Sequence, residues 1–167
     1  MFGRRAGRSA ADYVKRLRAS PDLADNAHTA IALIAADAPT RNFNTAEMLQ
    51  TLQKTMQDNV GALRTEAKIA AALDTIGRLT EELGDTPPGD GNRFDMRRID
   101  WFDLRNMLLV SRVVAEAALA RTETRGAQQR EDYPRLSTDW ACNQTVRLQD
   151  ARIELSGRPY DIAEVTS

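Results

Sequence analysis

The sequence predicts an all-α fold: a three-helix bundle of the spectrin-like up-down-up kind, preceded by a short N-terminal helix and followed by a small β-hairpin or extended arm. Three observations carry that expectation. Apolar residues recur at steps of three and four in the tracts 49–63, 69–83 and 104–118, the spacing of helix faces. Turn and capping signals separate those tracts. Beyond Pro134 the apolar period changes from helical to two, which marks strands.

Arg4 to about Ala19 reads as a basic amphipathic helix, closed by Ser20-Pro21 because the residue before proline avoids the αR region. Alanine-rich 23–37 is a second, weaker helix, and Ala38–Asn44 a connector. Asn44-Thr45-Ala46-Glu47 supplies an N-cap followed by an acid at the third helical position. Leu49, Leu52, Met56, Val60 and Leu63 then form one stripe, and Ile69, Leu73, Ile76 and Leu83 a second. Between them Gly61 interrupts and Thr65 offers a new cap, so the segment either kinks or joins two helices. Glycine inside a helix costs roughly 1 kcal/mol relative to alanine, so a close backbone contact is expected at Gly61. Gly84–Gly91, with Pro87-Pro88-Gly89, is a loop.

The next helix is expected to start near Asp100, with Asp103 three residues on. Arg105, Arg112 and Glu116 fall in one narrow sector of it. Leu104, Met107, Leu108, Val110, Val114, Ala117 and Ala118 fill most of the rest, which predicts a helix buried on most sides. Thr145–Gln149 and Arg152–Leu155 alternate as a hairpin around Asp150-Ala151, followed by a polyproline-like exit at Arg158-Pro159-Tyr160. The expected organisation is 1–37 for the N-terminal helices, 44–134 for the bundle and 135–167 for the arm.

A chain of 167 residues suits one hydrophobic core. With 23 Lys+Arg against 24 Asp+Glu it is nearly neutral, which removes the electrostatic case for nucleic acid. No apolar run approaches the roughly 20 residues of a membrane span. The single cysteine, Cys142, excludes an internal disulfide and fits a reducing compartment, so a cytoplasmic location is expected. The Arg-rich start faintly matches an organellar leader, but a structural helix explains it better.

Candidate chemistry is thin. His28, the only histidine, lies among alanines with no nucleophile motif elsewhere. Cys142 has no obvious base beside it. Zinc-ligand spacings, G-x-G-x-x-G and Walker A patterns are all missing, so no catalytic, metal or cofactor residue is expected on this chain. Asp100 and Asp103 are accounted for by helix capping, and Glu116 by Arg112 one turn earlier. The dense feature is the turn after the third bundle helix, Thr122-Glu123-Thr124-Arg125-Gly126-Ala127-Gln128-Gln129-Arg130-Glu131-Asp132-Tyr133-Pro134. Five charges surround a glycine there, and Arg forks suit bidentate pairing with carboxylates. It is either an ion-pair knot pinning the helix end or a docking surface for another domain. The docking candidates are Glu123, Arg125, Gly126, Gln128, Arg130 and Asp132.

Asp100–Pro134 resembles the most recognisable segment of the C-terminal helical domain of the succinate dehydrogenase/fumarate reductase flavoproteins, with L-aspartate oxidase a close relative. That family reads about R-T/x-E-S-R-G-A-H-x-R-x-D-[FY]-P here. Met56, Val60, Gly61 and Arg64 are similar to its M-x-x-x-V-G-x-x-R pattern. Phe2-Gly3-Arg4-Arg5-Ala6-Gly7 with Ala10-Ala11 resembles the helix closing its flavin domain. Arg158-Pro159-Tyr160 is similar to its R-P-[VY] tail. Thr124 stands for serine, Gln128 for the usual histidine, and Asn143 where a second histidine would fall.

The resemblance implies a domain that docks on and supports a flavin domain and is inactive alone. FAD is then expected on that partner flavin domain, whose catalytic residues precede the stretch matched here. An exposed apolar patch is expected where that domain belongs. Location then becomes cytoplasmic, or peripheral at a membrane through a partner complex. The alternatives are an independent helical interaction or assembly protein without enzyme activity, and the equivalent domain of an L-aspartate oxidase.

Overall fold

A computed structural model describes residues 2–17, 24–36, 44–89, 94–149 and 152–159. The chain divides into two compact units, Met1–Ala36 and Asp37–Ser167. The first contains helices α1 (Phe2–Arg16) and α2 (Ala24–Ala35). In α1 the apolar Phe2, Tyr13 and Val14 are all exposed. The expected extension of α1 to Ala19 falls largely outside the described residues.

The second unit is built on three helices, α3 (Thr45–Asn59), α4 (Glu66–Leu83) and α5 (Met96–Ala120), each packed on the other two. Both predicted caps at α3 and α4 form: Asn44 Oδ1 accepts from Glu47 N at 3.2 Å, and Thr65 Oγ1 from Lys68 N at 3.2 Å. Two helices therefore meet where the sequence left a kink open, joined by the short strand β1 (Leu63–Arg64). Gly61 sits at that junction, where an added Cβ would stand 2.5 Å from the Gln57 carbonyl oxygen.

The core is Met48, Leu52, Val60, Ile69, Ala72, Ile76, Leu79, Leu83, Trp101, Leu104, Leu108, Ala115 and Ala118. Its α3 face differs from the expected stripe: Met48, Leu52 and Thr55 are buried, while Leu49 and Met56 are half-buried. Leu63 is exposed because the helix has ended and strand alternation turns it outward. In α4, Ala72 and Leu79 join Ile69, Ile76 and Leu83 in the core, with Leu73 half-buried. The Trp101 indole donates to Leu83 O at 3.2 Å, satisfying a carbonyl at the open end of α4. Gly84 follows at φ 71°, the left-handed region glycine favours.

Helix α5 starts a turn earlier than expected. Asp95, not Asp100, is its N-cap, accepting from Arg97 N at 3.0 Å and pairing with the Arg97 guanidinium. That extra turn places the buried Arg98 to donate to Pro88 O at 3.1 Å, fastening the preceding loop. Asp100 and Asp103 lie inside the helix and are exposed, so capping does not account for them. Nor is α5 covered on most sides: Met96, Ile99, Met107, Val110 and Val114 are exposed along one flank. The three-helix packing covers the Trp101–Leu104–Leu108 face and leaves this one open.

After α5 come strand β2 (Gln129–Arg130), a 3-10 turn (Thr138–Trp140) and the antiparallel pair β3 (Cys142–Gln149) and β4 (Arg152–Pro159). The register sets Leu148 opposite Ile153 and Val146 opposite Leu155. Arg158 and Pro159 pair with Asn143 and Cys142, so this part of the expected polyproline-like exit is strand. Asp150-Ala151 and Tyr160 lie outside the described residues. One element had no signal in the sequence: β1 and β2 form a parallel ladder, with Leu63 opposite Gln129 and Arg64 opposite Arg130.

Candidate functional site

The α5 helix ends at Ala120, and the turn that follows folds back over its last carbonyls. Arg125 and Gln128 exchange backbone hydrogen bonds of 2.9 and 3.1 Å, with Gly126 between them at φ 59°. This tight return sends β2 alongside β1, where Gln129 N donates to Ala62 O at 3.1 Å and Glu131 N to Arg64 O at 2.9 Å. Thr124 Oγ1 accepts from Arg130 N at 2.9 Å and donates to Tyr133 O at 2.9 Å, bracing the return from inside.

Two buried ion clusters form the centre. The Glu123 carboxylate is fully buried and accepts from Arg125 Nε at 2.7 Å, Arg125 Nη2 at 3.1 Å, Ser137 N at 2.9 Å and Arg121 Nη1. Arg121 also donates to Cys142 O at 2.7 Å and Trp140 O at 3.2 Å, and stacks on the Trp140 ring at 5.1 Å. The Arg125 bond foremost, and then those from Ser137 and Arg121, outweigh burial and hold Glu123 down at about 2. This cluster ties the end of α5 to the hairpin.

The second cluster joins two helix ends. Arg130 is 1% exposed, and its Nη1 donates to Ala118 O, Leu119 O and Arg121 O at 3.0–3.2 Å, the orphan carbonyls of α5. Its Nε and Nη2 grip Asp132 at 2.8 Å each, and its guanidinium lies 4.8 Å from the Tyr133 ring. Asp132 Oδ2 in turn accepts from Glu66 N at 2.8 Å, at the first residue of α4. A cation thus faces a helix C-terminus and an anion a helix N-terminus, the favourable sign at both ends. The Arg130 fork chiefly, and the Glu66 amide, hold Asp132 far below the usual carboxylate range; Asp132 in return raises Arg130.

Gln128 links the clusters. Its Nε2 donates to Arg121 O at 3.2 Å, and its Oε1 accepts from Arg64 Nη1 at 3.1 Å. Burial first, and the charge on Arg130 second, lower the Arg64 pKa.

Of the six candidate docking residues, Glu123 and Arg130 are therefore buried and bonded within the fold. Arg125 and Gln128 are half-buried, Asp132 keeps about a quarter of its side chain in solvent, and Gly126 is exposed. Sequence reasoning passed over Arg121, although an arginine at a helix C-terminus is itself a capping signal. Gln144, which donates to Ala117 O at 3.1 Å and accepts from Arg121, carried no such signal. His28 is exposed, and Cys142 is a half-buried free thiol.

The same geometry can be tested for a flavin. Dinucleotide phosphates rest on a glycine-rich strand-to-helix turn and the free amides of a helix N-terminus. Among the described residues, β1 to α4 is the strand that leads directly into an α-helix. Its connection through Thr65 has no glycine, and the amides of Glu66 and Lys68 already serve Asp132 and Thr65. These residues do not fit FAD. Among the described residues no group of three or more His, Cys, Asp or Glu is arranged to hold a metal ion, and no helix is long and apolar enough to cross a membrane.

Comparison with known proteins agrees with this fold. Residues 49–167 match the model of a family described as fumarate reductase flavoprotein C-term. The succinate dehydrogenase flavoprotein subunit of Coxiella burnetii is 32% identical over 157 residues, covering 92% of this chain and 27% of that protein. The L-aspartate oxidase of Streptomyces coelicolor is 30% identical over 149 residues, covering 84% of this chain and 26% of that protein. The Mycobacterium smegmatis Sdh1 complex in the apo form aligns at 36% identity with a TM-score of 0.74, covering 96% of this chain and 28% of that one. The chain spans about a quarter of the length of the curated relatives it matches. The family match over most of the chain and the shared fold agree: the chain belongs to the fumarate reductase/succinate dehydrogenase flavoprotein C-terminal family.

Proposed function

We propose that this chain serves as the C-terminal helical domain of an FAD-dependent flavoprotein of the succinate dehydrogenase/fumarate reductase type. It docks on and supports a flavin-bearing domain and does not catalyse alone. The observation that supports this reading is the inward commitment of the charged turn. Glu123 and Arg130 direct their charge at helix ends, the hairpin and each other's neighbours, which rigidifies a scaffold and commits both groups to structure. FAD, the dicarboxylate substrate and the catalytic residues belong to the flavin domain. The exposed margin of the turn, Gly126 with the outer parts of Arg125, Gln128 and Asp132, is its candidate contact there. A location in the cytoplasm, or at a membrane face through partner subunits, follows from the same reading.

The L-aspartate oxidase relative supports a second reading of the same kind, in which the supported flavin domain oxidises an amino dicarboxylate. Purification from the native source tests both. Co-elution with flavin and succinate- or fumarate-dependent dye reduction is the expected result; aspartate-dependent reduction selects the second reading. A colourless chain with no flavin-bearing companion overturns both and leaves an independent assembly protein.

A further inference from the structure

The charged turn is not the largest surface this fold leaves unsatisfied. On α5, Met96, Ile99, Met107, Val110 and Val114 are spaced 3, 8, 3 and 4 residues apart, so at 100° per residue they share one face. All five are exposed, from 42% for Val114 to 63% for Met96. The stripe runs about 27 Å along the helix. Apolar exposure on this scale marks an interaction surface, where scattered single residues would not. The buried face of α5, with Trp101, Leu104 and Leu108, is a different side of the helix, and α3 borders only the edge of the stripe, where Thr45, Ala46 and Leu49 share a groove with Asp103 and Met107.

We propose that this stripe of α5, more than the charged turn, is the surface that seats the flavin-bearing part of the enzyme, whether that part is on the same polypeptide or another. This rests on the docking function proposed above and moves its main contact from the exposed margin of the turn to α5. The occupant follows from two observations. Relatives named as flavoprotein subunits are about four times as long as the stretch matched here, so a large body of structure accompanies this domain in them. The stripe is also apolar in the manner of permanent interfaces, which resemble a core cut in half; a transient partner would meet a more polar face. Asp103 refines the fit. It lies within the same face and is exposed. Burying it requires a cationic or hydrogen-bonding group on the partner.

The test uses the tagged chain expressed in its native source, with captured flavin as the readout. Val110→Asp combined with Val114→Asp is expected to weaken flavin capture about a hundredfold while leaving the far-ultraviolet circular dichroism and unfolding midpoint of the free chain unchanged. Asp103→Lys is expected to weaken it as well. Ala127→Asp at the exposed tip of the charged turn, and Leu109→Asp on another flank of α5, are expected to retain it. Capture undiminished in the Val110/Val114 variant, with wild type capturing flavin, overturns the stripe and spares the docking function. Loss in Ala127→Asp alone assigns docking to the turn instead. If wild type captures no flavin and the stripe variant dissolves a dimer of the chain, the occupant is a second copy and both proposals fall.

Discussion

Glu123→Gln isolates the charge at the centre of the first cluster while preserving shape. In the wild type the carboxylate receives two bonds from Arg125, one from Arg121 and one from Ser137 N, at no solvent exposure. Removing one partner of a buried ion pair costs about 3–5 kcal/mol. Here the low end applies, because neither arginine is left bare. Arg121 keeps the carbonyls of Cys142 and Trp140 and its stack on the indole. Arg125 keeps Ser137 O at 3.2 Å, with a third of its side chain in water. A loss of about 3 kcal/mol is therefore expected at pH 7. The pH dependence is the sharper test. The folded pKa of about 2 lies below the ordinary 4.5, so the stabilisation is complete above 4.5 and disappears as pH falls towards 2. Urea unfolding of both chains from pH 7 to pH 2.5 reads the difference directly, since the other carboxylates titrate in both. A difference under about 1 kcal/mol at neutral pH, or one that stays constant down to pH 2.5, refutes the assignment of this cluster as a stabilising charge network.

The remaining predictions concern single contacts. Asp132→Ala removes both the cap on Glu66 N and the acceptor of the Arg130 fork. It is expected to cost about 2 kcal/mol by urea unfolding and to speed amide exchange in the first turn of α4 before the rest of the helix. Gly61→Ala and Gly77→Ala are expected to move in opposite directions. At Gly61 the new methyl meets the Gln57 carbonyl, a loss of about 1–3 kcal/mol; at Gly77 nothing lies within 4 Å, and the helix gains up to about 1 kcal/mol. Equal signs for the two unfolding midpoints would contradict the packing argument. Gln128→His is expected to be tolerated at pH 8, where a neutral imidazole can still accept from Arg64 and donate to Arg121 O. Protonation is disfavoured beside Arg64, so its folded pKa falls below about 6.5, and stability present above that value is lost as pH drops through it.

The sequence made the helices legible where local rules govern them and misled where distant chain decides. Asn44 and Thr65 cap as their spacing implied, because an N-cap is completed within four residues. Asp100 looked like a cap by the same rule and is not one. Asp95 lies closer to the loop, and the buried Arg98–Pro88 contact needs the extra turn. The β1–β2 ladder was invisible, since two residues per strand carry no period and the partners are 66 positions apart. The turn's composition announced ion pairs, yet which carboxylate meets which arginine depended on where α4 begins and where the hairpin crosses. Gln144 entered the network with no local signal at all.

The placement of charge and apolar surface on α5 explains why the recognisable turn and the proposed docking face differ. The apolar side chains on the exposed flank of α5, from Met96 to Val114, gain from burial against a partner in many orientations, while Asp103 among them asks for a matching group. What fixes orientation is the rigidity of the helix presenting that flank. Arg130 and Asp132 supply it by coupling the C-terminus of α5 to the N-terminus of α4, while Arg121 and Glu123 couple it to the hairpin through Trp140 and Cys142. Neither coupling tolerates a shift of one turn, because each arginine reaches particular carbonyls. The charged residues therefore act on docking through α5: they hold its register so that Met107, Val110 and Val114 face the same direction in every molecule. Charge in the turn makes the apolar stripe specific, and the stripe gives the rigid turn something to position.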